Sequence, residues 1–139
     1  MSGFEKIDGA EIEKYSAIHE SNYLCGDLKL PQELAHLHDE NVEIGLCYYK
    51  DFSAKKAHYH TEVTEYQYVL CGEVKYLDIA NNTEHTYRKG DFYIIRPNTH
   101  YIEKVSPDSK VFFIKSPGKN DKISVEESLE VREWASSWE

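Results

Sequence analysis

Between Asn41 and Ser116 the chain is a succession of short runs rich in valine, isoleucine, tyrosine and phenylalanine, each closed by turn-forming residues. The runs "VEIGLCYYK", "KAHYH", "EYQYVLCG", "EVKYLDIA", "EHTYRKG", "DFYIIRP", "HYIEKV" and "KVFFIKS" are broken by punctuation such as "ANNTE", "RKGD", "RPNT" and "SPDS". Branched and aromatic side chains suit a pleated, half-buried surface, while Gly, Asn, Pro and Asp supply the backbone angles of tight turns. Eight such runs predict an all-β domain of antiparallel strands, arranged as two packed sheets or one closed barrel.

The flanks have a different texture. In "KIDGAEIEKYS", Asp8 is placed to cap a helix, with Glu11 completing a capping box and Ile7 and Ile12 a hydrophobic staple. Pro31 followed by Gln32, Glu33, Leu34 and Ala35 predicts one or two further helical turns. Near the end, Ser124 and Glu127 form another capping box, and Val131, Trp134, Ala135 and Trp138 follow helical spacing. The expected organisation is an extension over 1–40 that packs on the barrel, a barrel over 41–118 and a C-terminal helix over 119–139. That helix is expected to cover the outside of the barrel.

Charge excludes some partners. With 16 basic and 25 acidic residues the formal charge is -9, which disfavours nucleic acid and anionic membranes. The charged opening "MSGFEKIDGAEIEKY" does not read as a signal peptide and no run is long enough to span a bilayer, so a cytoplasmic location is expected. Cys25, Cys47 and Cys71 are far apart and read as small apolar residues rather than a disulfide framework or zinc knuckle.

Two stretches share a spacing of chemical interest. "HLHDENVE", from His36, and "HYHTEVTE", from His58, each hold two histidines one residue apart and a glutamate five residues after the second. Side chains at i and i+2 share a face of a strand but lie about 200 degrees apart around a helix. His36 and His38 follow the Pro31 helix signal and are expected at the surface, and the alternation of Val42, Ile44, Leu46 and Tyr48 is expected to turn Glu43 outward. His58 and His60 instead end a strand, and Glu65 begins the next with Gln67 and Val69 on its face. Two imidazoles and a carboxylate suit Fe, Mn, Ni, Co or Zn as a divalent ion, with positions open for substrate. The same three groups also suit a hydrogen-bonded polar cluster with no metal.

The run from His58 to Gly72 reads H-x-H, four residues, E, six residues, G, and resembles the first motif of the cupin family. "GDFYIIRPNTHYIEK" is similar to the second motif, with Gly90 opening it and His100 at the place of the last metal ligand. The likeness covers residues 41–116 and implies a double-stranded β-helix holding one divalent transition metal ion on His58, His60, Glu65 and His100. Three positions depart from the pattern: Phe52 replaces an opening glycine, Lys104 replaces an asparagine, and the turn from Pro97 to His100 is one residue short, with Asn98 near the usual glycine.

Strand alternation outward from the implied ligands predicts a substrate pocket of Gln67 and Val69 beside Glu65, and Ile102 and Lys104 beside His100. Tyr93 and Arg96 are further candidates, on opposite faces of their strand. The expected protein is a metal-dependent enzyme acting on a small polar compound such as a sugar, nucleotide sugar or sugar acid by isomerase or lyase chemistry. An Fe(II)-dependent dioxygenase and a non-catalytic binding or sensor domain are the alternatives, because similar cupins differ widely in chemistry. A homodimer that covers exposed strand edges is expected.

Overall fold

The computed structural model describes residues 3–139. In chain order the elements are α1 (Gly9–Ser16), β1 (Ser21–Cys25), β2 (Glu43–Tyr49), β3 (Ser53–Ala54), β4 (His58–His60) and β5 (Thr64–Cys71). They continue with β6 (Glu73–Asp78), β7 (Thr83–Arg88), β8 (Phe92–Ile95), β9 (Tyr101–Val105), β10 (Ser109–Ser116), β11 (Lys122–Ser124) and α2 (Leu129–Ala135). Two antiparallel sheets face each other. The first runs β1-β2-β10-β5-β8 and the second β11-β4-β9-β6-β7, with β3 also paired to β9. All eight strand-like runs of the sequence lie in these sheets, and β1 and β11 add strands from the flanks.

Between the sheets, Tyr49, Val69, Val74, Tyr76, Tyr93, Tyr101, Val105 and Val111 form the main core cluster. Tight turns hold the strands in register. Gly72 has φ +81° between β5 and β6, and a Cβ there would strike Ser109, so both angle and space call for glycine. A second cluster of Ala57, Ile102 and Val131, with Trp134 against it, lies where α2 covers the outer face of β9 and its neighbours, as the Trp134 stripe predicts. The opposite outer face, on the first sheet, leaves Tyr68, Leu70 and Phe92 exposed.

Three local expectations are corrected. Asp8 is the N-cap of α1, but its backbone carbonyl rather than its side chain accepts the Glu11 and Ile12 N–H groups. No helix follows Pro31: Gln32 ties that segment to β1 by donating to the Tyr23 carbonyl and accepting the Tyr23 N–H, and Leu34 is buried. These contacts outweigh the helix propensity of a few residues, too few to nucleate alone. Ser124 ends β11, and it is Ser128 that caps α2, its hydroxyl accepting the Val131 N–H at 3.2 Å. Glu127, freed from the expected capping box, accepts the Ala57 N–H.

Glu43 also turns the other way. It pairs with Lys115, which on its other side pairs with the buried Glu65, so Glu43 faces inward near the barrel mouth. Ile44 and Tyr48 lie on the outer face. Because that outer face is itself apolar, alternation alone does not tell which side is core.

Candidate active site

Strands β4 and β9 set the site, and their register decides which side chains enter it. His58 stands opposite Tyr101, and directly paired residues of an antiparallel ladder project to the same face. His58 and His60 are buried and point inward, while Tyr59 between them points outward. There its ring stacks on His100, with centroids 4.2 Å apart and planes 6° from parallel. His100 therefore lies on the face opposite the other three implied ligands. The short turn is the cause: Asn98 takes a left-handed φ of 64° and donates its N–H to the His60 carbonyl at 2.7 Å. The missing residue advances β9 by one place, and a slip of one place exchanges the faces of a strand.

That exchange moves every side chain of β9. Tyr101, Glu103 and Val105 point inward, whereas Ile102 and Lys104, expected in the pocket, lie under α2. Ile102 packs on Ala57 and Val131. The Lys104 ammonium donates to the Trp134 and Ser137 carbonyls at 2.7 and 2.9 Å and sits 4.2 Å from the Trp134 ring centre. A cation satisfied by the last carbonyls of a helix is a C-terminal cap.

Each inward imidazole is fixed through Nδ1. His58 Nδ1 lies 2.8 Å from the Lys56 carbonyl, and His60 Nδ1 lies 2.7 Å from Asp121 Oδ1. Both partners are acceptors, so Nδ1 carries the proton in each ring and Nε2 faces the interior. Asp121 also accepts the Glu62 and Val63 N–H groups at 2.6 and 2.9 Å. Burial would raise its pKa, but those two donors and His60 outweigh burial and hold the carboxyl well below its usual range.

The Tyr101 hydroxyl stands 3.0 Å from His58 Nε2 and 3.0 Å from Glu65 Oε2. With Nδ1 carrying the His58 proton, His58 Nε2 and Glu65 Oε2 are two acceptors that share one hydroxyl proton. Burial pushes the His58 imidazole below its ordinary pKa, and the Lys122 charge adds to the effect. Burial and the Glu65 charge raise the Tyr101 phenol well above its own, so it stays protonated.

The implied metal does not fit these residues. An ion shared by His58 and Glu65 would need the place that the Tyr101 hydroxyl takes between them, and His100 is stacked on Tyr59. His60 Nε2 is 3.9 Å from Glu65 Oε1 and is buried with no hydrogen-bond partner. It is one open donor atom, where a transition ion needs several convergent ones. Among the described residues no three His, Cys, Asp or Glu side chains are grouped to hold an ion.

His58, Glu65, Gln67, Tyr101 and Glu103 instead line a cavity of about 190 Å³ between the sheets. Burial, and then the neighbouring Glu65 charge, push the Glu103 carboxyl up to about 7, against the opposing pull of Tyr76, Lys55 and Lys122. Gln67 is held in place behind it: its Oε1 accepts the Tyr93 and Tyr76 hydroxyls at 2.7 and 3.2 Å, and its Nε2 lies 3.4 Å from Glu65 Oε2. Tyr93, expected in the pocket, does not line the cavity: it packs in the core and holds Gln67 from behind. Arg96 is exposed at a second cavity of about 390 Å³, lined with Asp78, His85 and Tyr87 and sharing Tyr101 with the first. His36 and His38 are exposed, as expected.

Six residues of the site escaped the sequence reading: Tyr101, Glu103, Lys55, Lys115, Asp121 and Lys122. The short turn carried the signal for the first two, since a missing residue shifts the strand phase as well as the ligand. Asp121 and Lys122 sit in a segment read as the lead-in to a helix, and nothing in its periodicity marks them.

No protein-family profile and no curated protein matches the sequence. Solved structures do. An uncharacterised double-stranded β-helix protein from Klebsiella pneumoniae is 16% identical with a TM-score of 0.57, over 91% of this chain and 100% of that one. An RmlC-like cupin from Desulfovibrio desulfuricans is 17% identical with a TM-score of 0.51, over 86% of this chain and 94% of that one. Streptomyces PAC13, described as a nucleoside dehydratase and solved as a tyrosine-to-phenylalanine variant with uridine, is 13% identical with a TM-score of 0.61, over 95% of this chain and 98% of that one. This chain has the cupin fold, a double-stranded β-helix in a single domain. At these identities the likeness defines the fold alone.

Proposed function

We propose that the cavity between the sheets is the active site of a lyase or isomerase that moves protons on a small, hydroxyl-bearing polar compound without a metal ion. The observation that carries this reading is the Tyr101 hydroxyl, held between His58 Nε2 and Glu65 in a cavity that also contains Glu103. A neutral imidazole and a carboxyl near 7 are a base and an acid that coexist at neutral pH. In an elimination, the His58–Tyr101 pair takes a proton from a carbon next to a carbonyl of the substrate. The electrons of that C–H bond form a C=C bond, and the neighbouring hydroxyl leaves as water with the proton of Glu103. In an isomerisation the same two groups remove a proton from one atom and return one to another. Streptomyces PAC13 supports the reading as a protein of similar fold described as a dehydratase.

The test is a turnover screen of sugars, sugar acids and nucleosides in the presence of a strong chelator, followed by mass spectrometry and NMR. Activity should survive the chelator, show a pH limb near 7, and lose that limb in Glu103→Gln. A transition metal near one per chain that is lost in a His58→Ala, His60→Ala double variant, together with activity that the chelator abolishes, overturns the reading in favour of a metal enzyme.

A further inference from the structure

The cavity gathers basic side chains in a chain that is acidic overall. The whole protein carries -9, yet Lys55, Lys115 and Lys122 line this one space against the carboxylates of Glu65 and Glu103. Register puts them there. Lys122 pairs with the inward His60, and Lys115 pairs with the inward Glu65. Lys55 lies just before β4, its ammonium 5.3 Å from the centre of the buried Tyr49 ring.

Two of the three lysines have protein partners. Lys55 is 2.8 Å from Glu20, and Lys115 is 3.9 Å from Glu43 and 3.2 Å from the Tyr23 hydroxyl. The ammonium of Lys122, an exposed residue, has no hydrogen bond or ion pair among the described residues, although its charge is felt at both His58 and Glu103. Its neighbour Glu103 does not neutralise it, because that carboxyl keeps its proton up to about 7. The space also continues outward. A groove of about 430 Å³ shares Tyr23, Lys115 and Lys122 with the cavity and adds Asp27, Glu43 and Lys119, the last paired with Glu62 at 2.6 Å. An ammonium with no carboxylate partner, on the wall that cavity and groove share, attracts ligands of opposite charge. A neutral polyol gains little from an unpaired ammonium, whereas a carboxylate or phosphate gains a charge-assisted hydrogen bond.

We propose that the ligand of this site is a small hydroxylated anion, with its carboxylate or phosphate at Lys122 and Lys115 and its carbon frame reaching inward to Tyr101 and Glu103. This rests on the active-site reading of the cavity, but it is tested by binding, so that the two can fail separately. Equilibrium titration of the full chain would compare a hexuronate, a hexose phosphate and the uncharged parent hexose. At least one anion should bind tenfold or more tightly than the hexose, with an advantage that shrinks as salt is added. Whichever anion wins tells carboxylate from phosphate, and inorganic phosphate should compete if it is the second. Lys122→Glu should remove the preference and Lys122→Gln reduce it. Lys89→Glu, an exposed lysine on the turn before β8, should leave it unchanged. Equal or absent binding of all three compounds, or a preference that survives Lys122→Glu, overturns the proposal. If Glu103-dependent turnover is then found on an uncharged compound, the active-site reading stands without it.

Discussion

The two faces of β9 differ in what they ask of a buried charge. On the outer face Lys104 is only 2% exposed, and its ammonium is satisfied by two carbonyls at the end of α2 and by the Trp134 ring. On the inner face, one residue earlier, Glu103 accepts no such set of donors and answers burial by holding its proton. A buried charge that is fully partnered holds an element in place; a half-buried acid left to titrate is available for chemistry. Strand phase decides which groups each of the two side chains meets.

The sharpest way to break this comparison is to neutralise each charge in turn. Glu103→Gln should lower turnover by about 10²- to 10⁴-fold, the usual contribution of a positioned acid or base, while Lys104→Ala leaves the rate of correctly folded protein unchanged. Steady-state kinetics on both variants would show it, and equal losses would erase the distinction. Stability should move the opposite way. Because the folded Glu103 carboxyl titrates near 7 rather than 4.5, its contribution favours folding below pH 4.5 and is lost as pH rises through 7. At pH 8 Glu103→Gln should therefore be more stable than the parent by about 1–2 kcal/mol, discounted for the exposure the group retains.

Lys104→Ala should cost about 2–3 kcal/mol, since it leaves the final carbonyls of α2 without their donor and removes a packed side chain. Urea denaturation measures this, and a cost near zero would mean that Trp134 and Val131 hold α2 unaided. Asp121→Asn should cost about 1–2 kcal/mol by weakening the acceptor shared by His60 and the Glu62 and Val63 N–H groups. The folded Asp121 carboxyl titrates below its unfolded value of 3.8, so its contribution is present above that pH and lost as pH falls. The gap between parent and Asp121→Asn should close on acidification, which denaturation at a series of pH values would follow. The smallest effect belongs to His100→Ala. Loss of its stack on Tyr59 should change stability by no more than about 0.5 kcal/mol and leave anion binding unaltered in the same titration.

Much of the barrel was legible beforehand. The eight runs, Gly72 and the pairing of inward His58 and His60 with Glu65 and Gln67 all follow from period-two alternation, because these residues lie within continuous strands. Legibility failed where two readings fitted one string. The outer face of the first sheet is as apolar as a core, so Glu43 looked outward. The Pro31 segment looked helical because its fixing contacts come from β1, distant in sequence. At the second motif a histidine in the expected place outweighed the shortened turn that moved it. The lesson of "HLHDENVE" against "HYHTEVTE" applies again between His100 and Tyr101: spacing proposes a ligand, and strand phase decides whether it faces the site.

By itself, the sequence determined an all-β barrel, a helix near each end, the inward pair His58 and His60, and the face shared by Glu65, Gln67 and Val69, since each depends on local propensity and the pleat. Tertiary structure decided that Tyr101 and Glu103 enter the cavity while His100, Ile102 and Lys104 leave it, and that Asp121 and Lys122 return beside His60. Those outcomes depend on how β9 and β11 register against β4. Register is settled by hydrogen bonds between strands far apart in the chain, which one strand's pattern does not encode.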